Sequence, residues 1–228
     1  MPVKKIFRDE FVEAIAEIDR LYSIAFADSI REGALPNERL RDLAAQVYLQ
    51  EKWPSHIANV YLQLDEEALA QHDVVKYVIS IIKAENLGVG SNGVPHAELA
   101  RQFAYFTGLS EVELQRAKPT VENRALIDWC DMSELERPWL EALAVQVAFE
   151  SQVTAMSKIA KGLMLHYGAS KEDAQLWIVH GGPVERKHKR QGLAILAKYT
   201  TSEISGNVLY AYDMTSRFNR NFYDSFLL

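Results

Sequence analysis

Apolar residues recur in this chain every three to four positions almost from end to end, and each periodic stretch closes on a residue that stops helices. Phe11, Ile15, Ile18 and Tyr22 set the spacing of a first helix from about Asp9 to Glu32, closed by Gly33 and Pro36. Asn37 can cap a second that runs past Trp53, where Pro54 is expected to kink it. A third begins after Asp65 and passes through Val74, Val78, Ile81 and Glu85 to the stop at Gly88. Beyond the turn GVGSNGVP a short helix starts at Pro95 and ends at Gly108, and Ser110 with Glu113 has capping-box spacing for a brief helix before Pro119. Another spans roughly Val121 to Met132. The longest periodic stretch follows Pro138, places Leu143, Val147, Glu150 and Thr154 on one face, and closes at Tyr167-Gly168. Ser170 with Asp173 caps the next, which holds WIVHGGPVERKH, and Thr200 with Glu203 caps the last, which reaches toward Tyr223. No run of alternating β-branched residues is long enough for a sheet. The expected fold is therefore all-α, a single helical bundle of about six long and two short helices over residues 1–228, with a ligand site between the helices.

Composition narrows what such a bundle does. At 228 residues the chain can bury one sizeable core. No run approaches the roughly 18 apolar residues of a membrane span, and the amino terminus MPVKKIFRDEF turns charged before a signal peptide could form, so a cytoplasmic protein is expected. A net charge of -6 argues against a nucleic-acid surface, and the basic run Arg186 to Arg190 reads as a solvated helix face. Cys130 is the only cysteine, which excludes an internal disulfide and a thiolate-rich zinc site. Any metal has to be held by His, Asp and Glu.

Two glutamates stand where the pattern asks for apolar residues: Glu85 behind Val78 and Ile81, and Glu150 behind Leu143 and Val147. A buried carboxylate without a partner costs several kcal/mol, so each needs a cation, a hydrogen-bond network or a metal. His96, His180 and His188 follow on other predicted helices, and Glu185-Arg-Lys-His188 is a Glu-x-x-His pair whose spacing sets both side chains on one face. Carboxylates combined with such pairs are how helical bundles hold two iron or manganese ions. In a regular helix His180 and His188 would lie about 80° and about 12 Å apart, with Glu185 about 140° from His180, and they would not converge. Gly181-Gly182-Pro183 allows a π-bulge or a break between them, or a segment that stays loose until metal or substrate arrives.

These residues resemble the haem-oxygenase-like diiron oxidases, related in fold to the thiaminase II (TenA) and pyrroloquinoline-quinone synthase (PqqC) proteins. The resemblance rests on ALAVQVAFESQVTAMSKIAKGLMLHYGASKEDAQLWIVHGGPVERKHKRQGLAILAKY and, more weakly, on ENLGVGSNGVPHAELARQFAYFTGLS. It implies Glu85, His96, Glu150, His180, Glu185 and His188 as metal ligands, with Glu150 bridging or lying between the ions. Two departures stand out: Glu185 occupies a place where the family usually has aspartate, one residue closer to the first histidine, and Pro183 is unusual there. The implied cofactors are two Fe(II) ions, with Mn possible, and O₂ as co-substrate. The implied chemistry is N-oxygenation, oxidative C–C cleavage, or oxidation of the protein's own side chains, on a small amine, amino acid or fatty-acid-like substrate. An external electron donor and a homodimer are expected. Aromatic candidates for the pocket are Tyr61, Phe103, Phe106, Trp177 and Tyr210, and Lys158 could anchor a substrate carboxylate. His56, His72 and His166 lie outside the ligand pattern. The competing readings are a metal-free thiaminase-like hydrolase using Cys130, a PqqC-like cofactorless oxidase with histidines as acid-base groups, and a non-catalytic interaction protein on the same bundle. Aspartates flanking Cys130 would raise its thiol pKa.

Overall fold

The structure, a computed structural model, describes residues 2–52 and 57–227, with side chains from residue 7 onward. The kink expected at Pro54 and the side chain of His56 lie outside the described residues. Within them the chain is all-helical and has no strand.

Several stretches that read as one helix are two. The first divides into α1 (Pro2–Leu21) and α2 (Phe26–Arg31), because Asp224, far away in sequence, accepts from the Phe26 backbone N–H and starts a new helix there. Asn37 opens α3 (Asn37–Glu51) as its first residue, with Pro36 at the cap. After α4 (Ile57–Leu62), Asp65 caps only the four-residue α5 (Glu66–Leu69), and the chain restarts as α6 (His72–Leu87). Gly88 ends α6 in the left-handed region at φ 65°, where any side chain would run into the Val94 backbone. The tight return that follows lays α7 (His96–Phe106) beside α6. Ser110 and Glu113 make both bonds of the expected capping box on α8 (Glu111–Arg116).

The long stretch after Pro138 breaks into α10 (Trp139–Glu150) and α11 (Val153–His166), following α9 (Val121–Glu136). The Ser151 hydroxyl donates back to the Val147 carbonyl at 3.0 Å, and the Ser151 and Gln152 N–H groups bond three rather than four residues back. Such back-bonding bends helices, and Glu150 becomes the last residue of α10. Ser170 and Asp173 exchange their expected bonds, but α12 (Gln175–His180) starts later. Then come α13 (Pro183–Tyr199) and α14 (Ser205–Asp224); α14 starts beyond the Thr200–Glu203 pair, and the Thr200 hydroxyl has no hydrogen-bond partner.

A helix apolar all round belongs in the interior. α10 is that helix: Leu140, Ala142, Leu143, Ala144, Val145 and Val147 are all buried, and α9, α13 and α14 pack around it. The bundle thus carries Glu150 into its centre. No helix among the described residues is long and apolar enough to cross a membrane.

Candidate metal centre

Six side chains named from the sequence meet in two groups. In the first, Glu85 comes from the last turn of α6, His96 from the first turn of α7 and His180 from the end of α12. Glu85 Oε2 lies 2.7 Å from His96 Nδ1, and His180 Nε2 lies 2.9 Å from the same nitrogen. In the second, Glu150 ends α10 while Glu185 and His188 share one face of α13. His188 Nδ1 is 3.4 Å from Glu185 Oε2 and 3.9 Å from Glu150 Oε2. Within each group one donor atom from every residue lies within 4.8 Å of the others. The helical period explains α13: Glu185 and His188 face inward, whereas Arg186, Lys187 and Arg190 are exposed, so the basic run is a solvated face.

The break at Gly181-Gly182 assigns His180 to one group and Glu185 with His188 to the other. A Cβ on Gly181 would lie 2.7 Å from the Ser157 backbone nitrogen of α11, so only glycine permits this approach. Its carbonyl accepts from the Ser157 hydroxyl at 2.8 Å and from Arg186 at 2.9 Å, and Pro183 occupies the first turn of α13. The segment is pinned, not loose.

Electrostatically both groups ask for cations. Burial alone would lower the His96 pKa, but the adjacent Glu85 carboxylate overrides it and raises it to about 9. His180 is lowered by burial and by His96. Burial and the neighbouring Glu185 push Glu150 well above the usual carboxylate range, so this close pair holds a proton when no cation is near. Three buried donors have no hydrogen-bond partner: His96 Nε2, Glu150 Oε2 and Glu185 Oε1. Such atoms are costly to bury unless a ligand completes them. Carboxylate and imidazole donors without thiolate suit iron or manganese.

A cavity of about 380 Å³ is bordered by Glu85, His96, His180, Glu150 and Glu185. Leu126, Ile127, Phe149 and Met156 supply apolar wall, and Gln50, Gln146, Gln152 and Asn219 supply amides. None of the pocket candidates from the sequence borders it. Phe103 and Trp177 are core, ring against ring at 5.3 Å, with Phe106 stacked behind. Tyr210 and Tyr61 are 49% and 38% exposed. Lys158 is taken by Asp28 of α2 at 2.9 Å. His72 and His166 are exposed. Cys130 does reach the cavity, but burial, with Glu134 and Asp131 adding, pushes its thiol well above the ordinary range, the wrong direction for a nucleophile.

The amides and Tyr77 are not among the residues expected from the sequence. Gln146 had a usable signal, a lone amide one turn before Glu150 on an apolar helix; its Nε2 donates to Glu150 Oε1 at 3.1 Å. Tyr77, fully buried, sets its ring edge-on to His188, and its hydroxyl has no hydrogen-bond partner. Nothing in its local sequence separates it from ordinary core.

Residues 41–216 match the family of iron-containing redox enzymes. The chain belongs to this family. This iron-containing redox enzyme is accordingly an oxidoreductase. It is 23% identical to 4-aminobenzoate synthase of Chlamydia muridarum over 223 residues, covering 95% of this chain and 88% of that protein. The Chlamydia trachomatis protein of the same name is 24% identical over 204 residues, covering 86% and 81%. The fold is similar to that of a TenA homologue from Pseudomonas syringae pv. tomato, with TM-score 0.77, 11% identity and 96% and 91% of the two chains covered. It is also similar to a CADD-like protein of unknown function from Nostoc punctiforme, with TM-score 0.73, 16% identity and 95% and 96% covered. A haem-oxygenase-like fold is thereby established for this redox enzyme.

Proposed function

We propose that the cavity is the reaction chamber of an O₂-dependent diiron oxidoreductase. Glu85, His96 and His180 hold one ferrous ion, and Glu150, Glu185 and His188 hold the other. The carrying observation is the pair of three-donor groups beside one cavity, with buried donor atoms in both that lack a hydrogen-bond partner. Bound ferrous iron supplies the electrons and open coordination positions through which O₂ is activated.

The remaining work falls to the protein. Gln146 orients the Glu150 carboxylate by holding one of its oxygens. Glu85 keeps a proton on His96 in the metal-free protein, and that proton leaves when the ring becomes a ligand. Leu126, Ile127, Phe149 and Met156 keep water from the reacting molecule. The substrate is a small organic molecule within about 380 Å³, oxidised at nitrogen or by C–C cleavage, and an external donor restores the ferrous state. Relatives named for synthesis of 4-aminobenzoate, a small aromatic amine, support a substrate of this size.

Anaerobic titration with ferrous iron followed by exposure to O₂ tests the reading. Two irons per chain and a transient visible absorption are expected, with Glu150→Ala binding fewer irons and showing no transient. Failure of the native protein to take up iron would sink the proposal.

A further inference from the structure

Two members of the second donor group are each followed directly by a residue drawn into one polar relay: Ser151 follows Glu150, and Lys189 follows His188. The relay is completed from helices that supply no donor to either group, by Asp19 in the last turn of α1 and Tyr212 in α14. The Tyr212 hydroxyl donates to Asp19 Oδ1 at 2.7 Å, and Lys189 Nζ donates to Asp19 Oδ2 at 2.9 Å. A carboxylate beside an ammonium only accepts, so the single phenol hydrogen is spent on Asp19. The Tyr212 oxygen therefore accepts from the Ser151 hydroxyl, 2.5 Å away, and Ser151 shares that hydrogen with the Val147 carbonyl one turn back. The Ser151 carbonyl in turn lies 3.5 Å from Lys189 Nζ, which closes the relay on itself.

Such a ring does more than decorate a surface. Tyr212 is fully buried, and the Lys189 and Asp19 side chains are only 29% and 23% exposed while joining α13 to α1. Charge-assisted bonds in that setting hold better than exposed ion pairs a turn apart. None of the four residues borders the cavity, so the relay is not placed to touch a substrate. Gln146 holds the Glu150 carboxylate, but the direction in which α10 presents it depends on where that helix stops, and Ser151 is the stop. Metal donors have to be held within about 0.5 Å of their working places. Glu150 and His188 stand on different helices, and the relay fastens the end of α10 to α13 beside both.

We propose that Asp19, Tyr212 and Lys189, acting through Ser151, are positioning residues for the Glu150 group, fixing the end of α10 against α13 and so setting the strength and geometry of that metal site. This rests on the diiron reading. Asp19 lies ahead of residues 41–216, the part that matches the family, so the centre draws on the amino-terminal helix as well.

The test uses cobalt(II), whose visible bands report its coordination, titrated into Glu85→Ala protein, where the Glu150 group alone is complete. Tyr212→Phe is expected to weaken cobalt about tenfold and to change the bands, the scale on which outer partners of a ligand act. Asp19→Ala should do the same. Both changes together should stay near about tenfold instead of multiplying to about 100-fold, because they break one relay. Lys189→Met should also weaken the ion, and Lys189→Arg should restore it. In Glu150→Ala protein, where the Glu85 group is left, Tyr212→Phe should keep cobalt affinity within about twofold. Asp19→Asn, which keeps an acceptor for the phenol but loses the charge, replaces Tyr212→Phe should the latter not fold, melting curves being the check. Unchanged affinity and bands, effects that multiply, or an equal loss at both groups would overturn the proposal. Native protein that takes up cobalt with no dependence on Tyr212 removes the positioning role alone, whereas native protein that takes up none removes the diiron reading.

Discussion

The two donor groups contain the same residue types in opposite proportion. The Glu85 group sets one carboxylate against two imidazoles, and the Glu150 group sets two carboxylates against one. Their settings differ as well. Glu85 and His180 are partly exposed and all three members border the cavity, while Glu150, Glu185 and His188 are buried and His188 does not reach it. A buried group with two carboxylates has more to gain from a divalent ion than a more open group with one. In the proposed diiron centre the Glu150 group is therefore expected to be the tighter metal site, and the Glu85 group is the more accessible one.

The largest test of this contrast exchanges which group is broken. Glu150→Ala should abolish tight uptake at the second group and reduce activity by about 10³-fold or more, the scale seen when a group essential to the transition state is lost. One weaker metal should still bind through Glu85, His96 and His180, and Glu85→Ala should leave the tighter one; equilibrium dialysis counts the ions.

The pH dependence of loading comes next. His96 must lose its proton to bind, and its pKa in the metal-free protein is raised to about 9. Affinity at the Glu85 group should accordingly rise about tenfold per pH unit below that value, or about 100-fold between pH 6.5 and 8.5, and level off above it. The sign for stability is the reverse. A histidine with a raised folded pKa contributes stability that is fully present below its unfolded pKa of about 6.5 and lost as pH rises through about 9. Raising the pH should thus lower the His96 contribution to the melting temperature of metal-free protein while strengthening metal binding. An affinity independent of pH would show that the ion displaces no proton from His96.

A smaller effect separates the groups through their supports. Gln146→Leu removes the bond that holds Glu150 and should weaken the tighter site by about 10- to 100-fold with little change at the other. Gly181→Ala acts on the opposite group, because its Cβ presses on Ser157 and moves the end of α12. It should cost about 1–3 kcal/mol in stability and weaken the Glu85 group about tenfold, read by denaturant melts and by zinc titration.

How far the sequence discloses this molecule depends on how local each cause is. Glu150 is visible because it follows Leu143 and Val147 on an apolar face of its helix, and Glu185 with His188 because one turn of α13 carries both. The Gly-Gly-Pro break is visible as a break. Which group each side of it joins is not, since that depends on Ser157 of α11 closing on Gly181. Phe103 and Trp177 have the spacing of core and are core, and that spacing does not distinguish a core aromatic from one that lines a pocket. Lys158 is claimed by Asp28 and Gln50 by Asn123, partners too distant in sequence for any window to find. The helical class needed only periodicity, but the division of long stretches depended on tertiary caps such as Asp224 on Phe26.

If the two groups hold iron as proposed, the break at Gly181-Gly182 also sets when a growing chain can first acquire its ions. Synthesis delivers the amino-terminal helices first. Glu85 and His96 then wait for His180, and Glu150 waits for Glu185 and His188, all delivered in the same short stretch on either side of those glycines. Until only the rest of α13 and α14 remain to be made, iron has no finished site to meet. Both sites are then completed almost together, so the order of filling follows affinity and access rather than the order of translation.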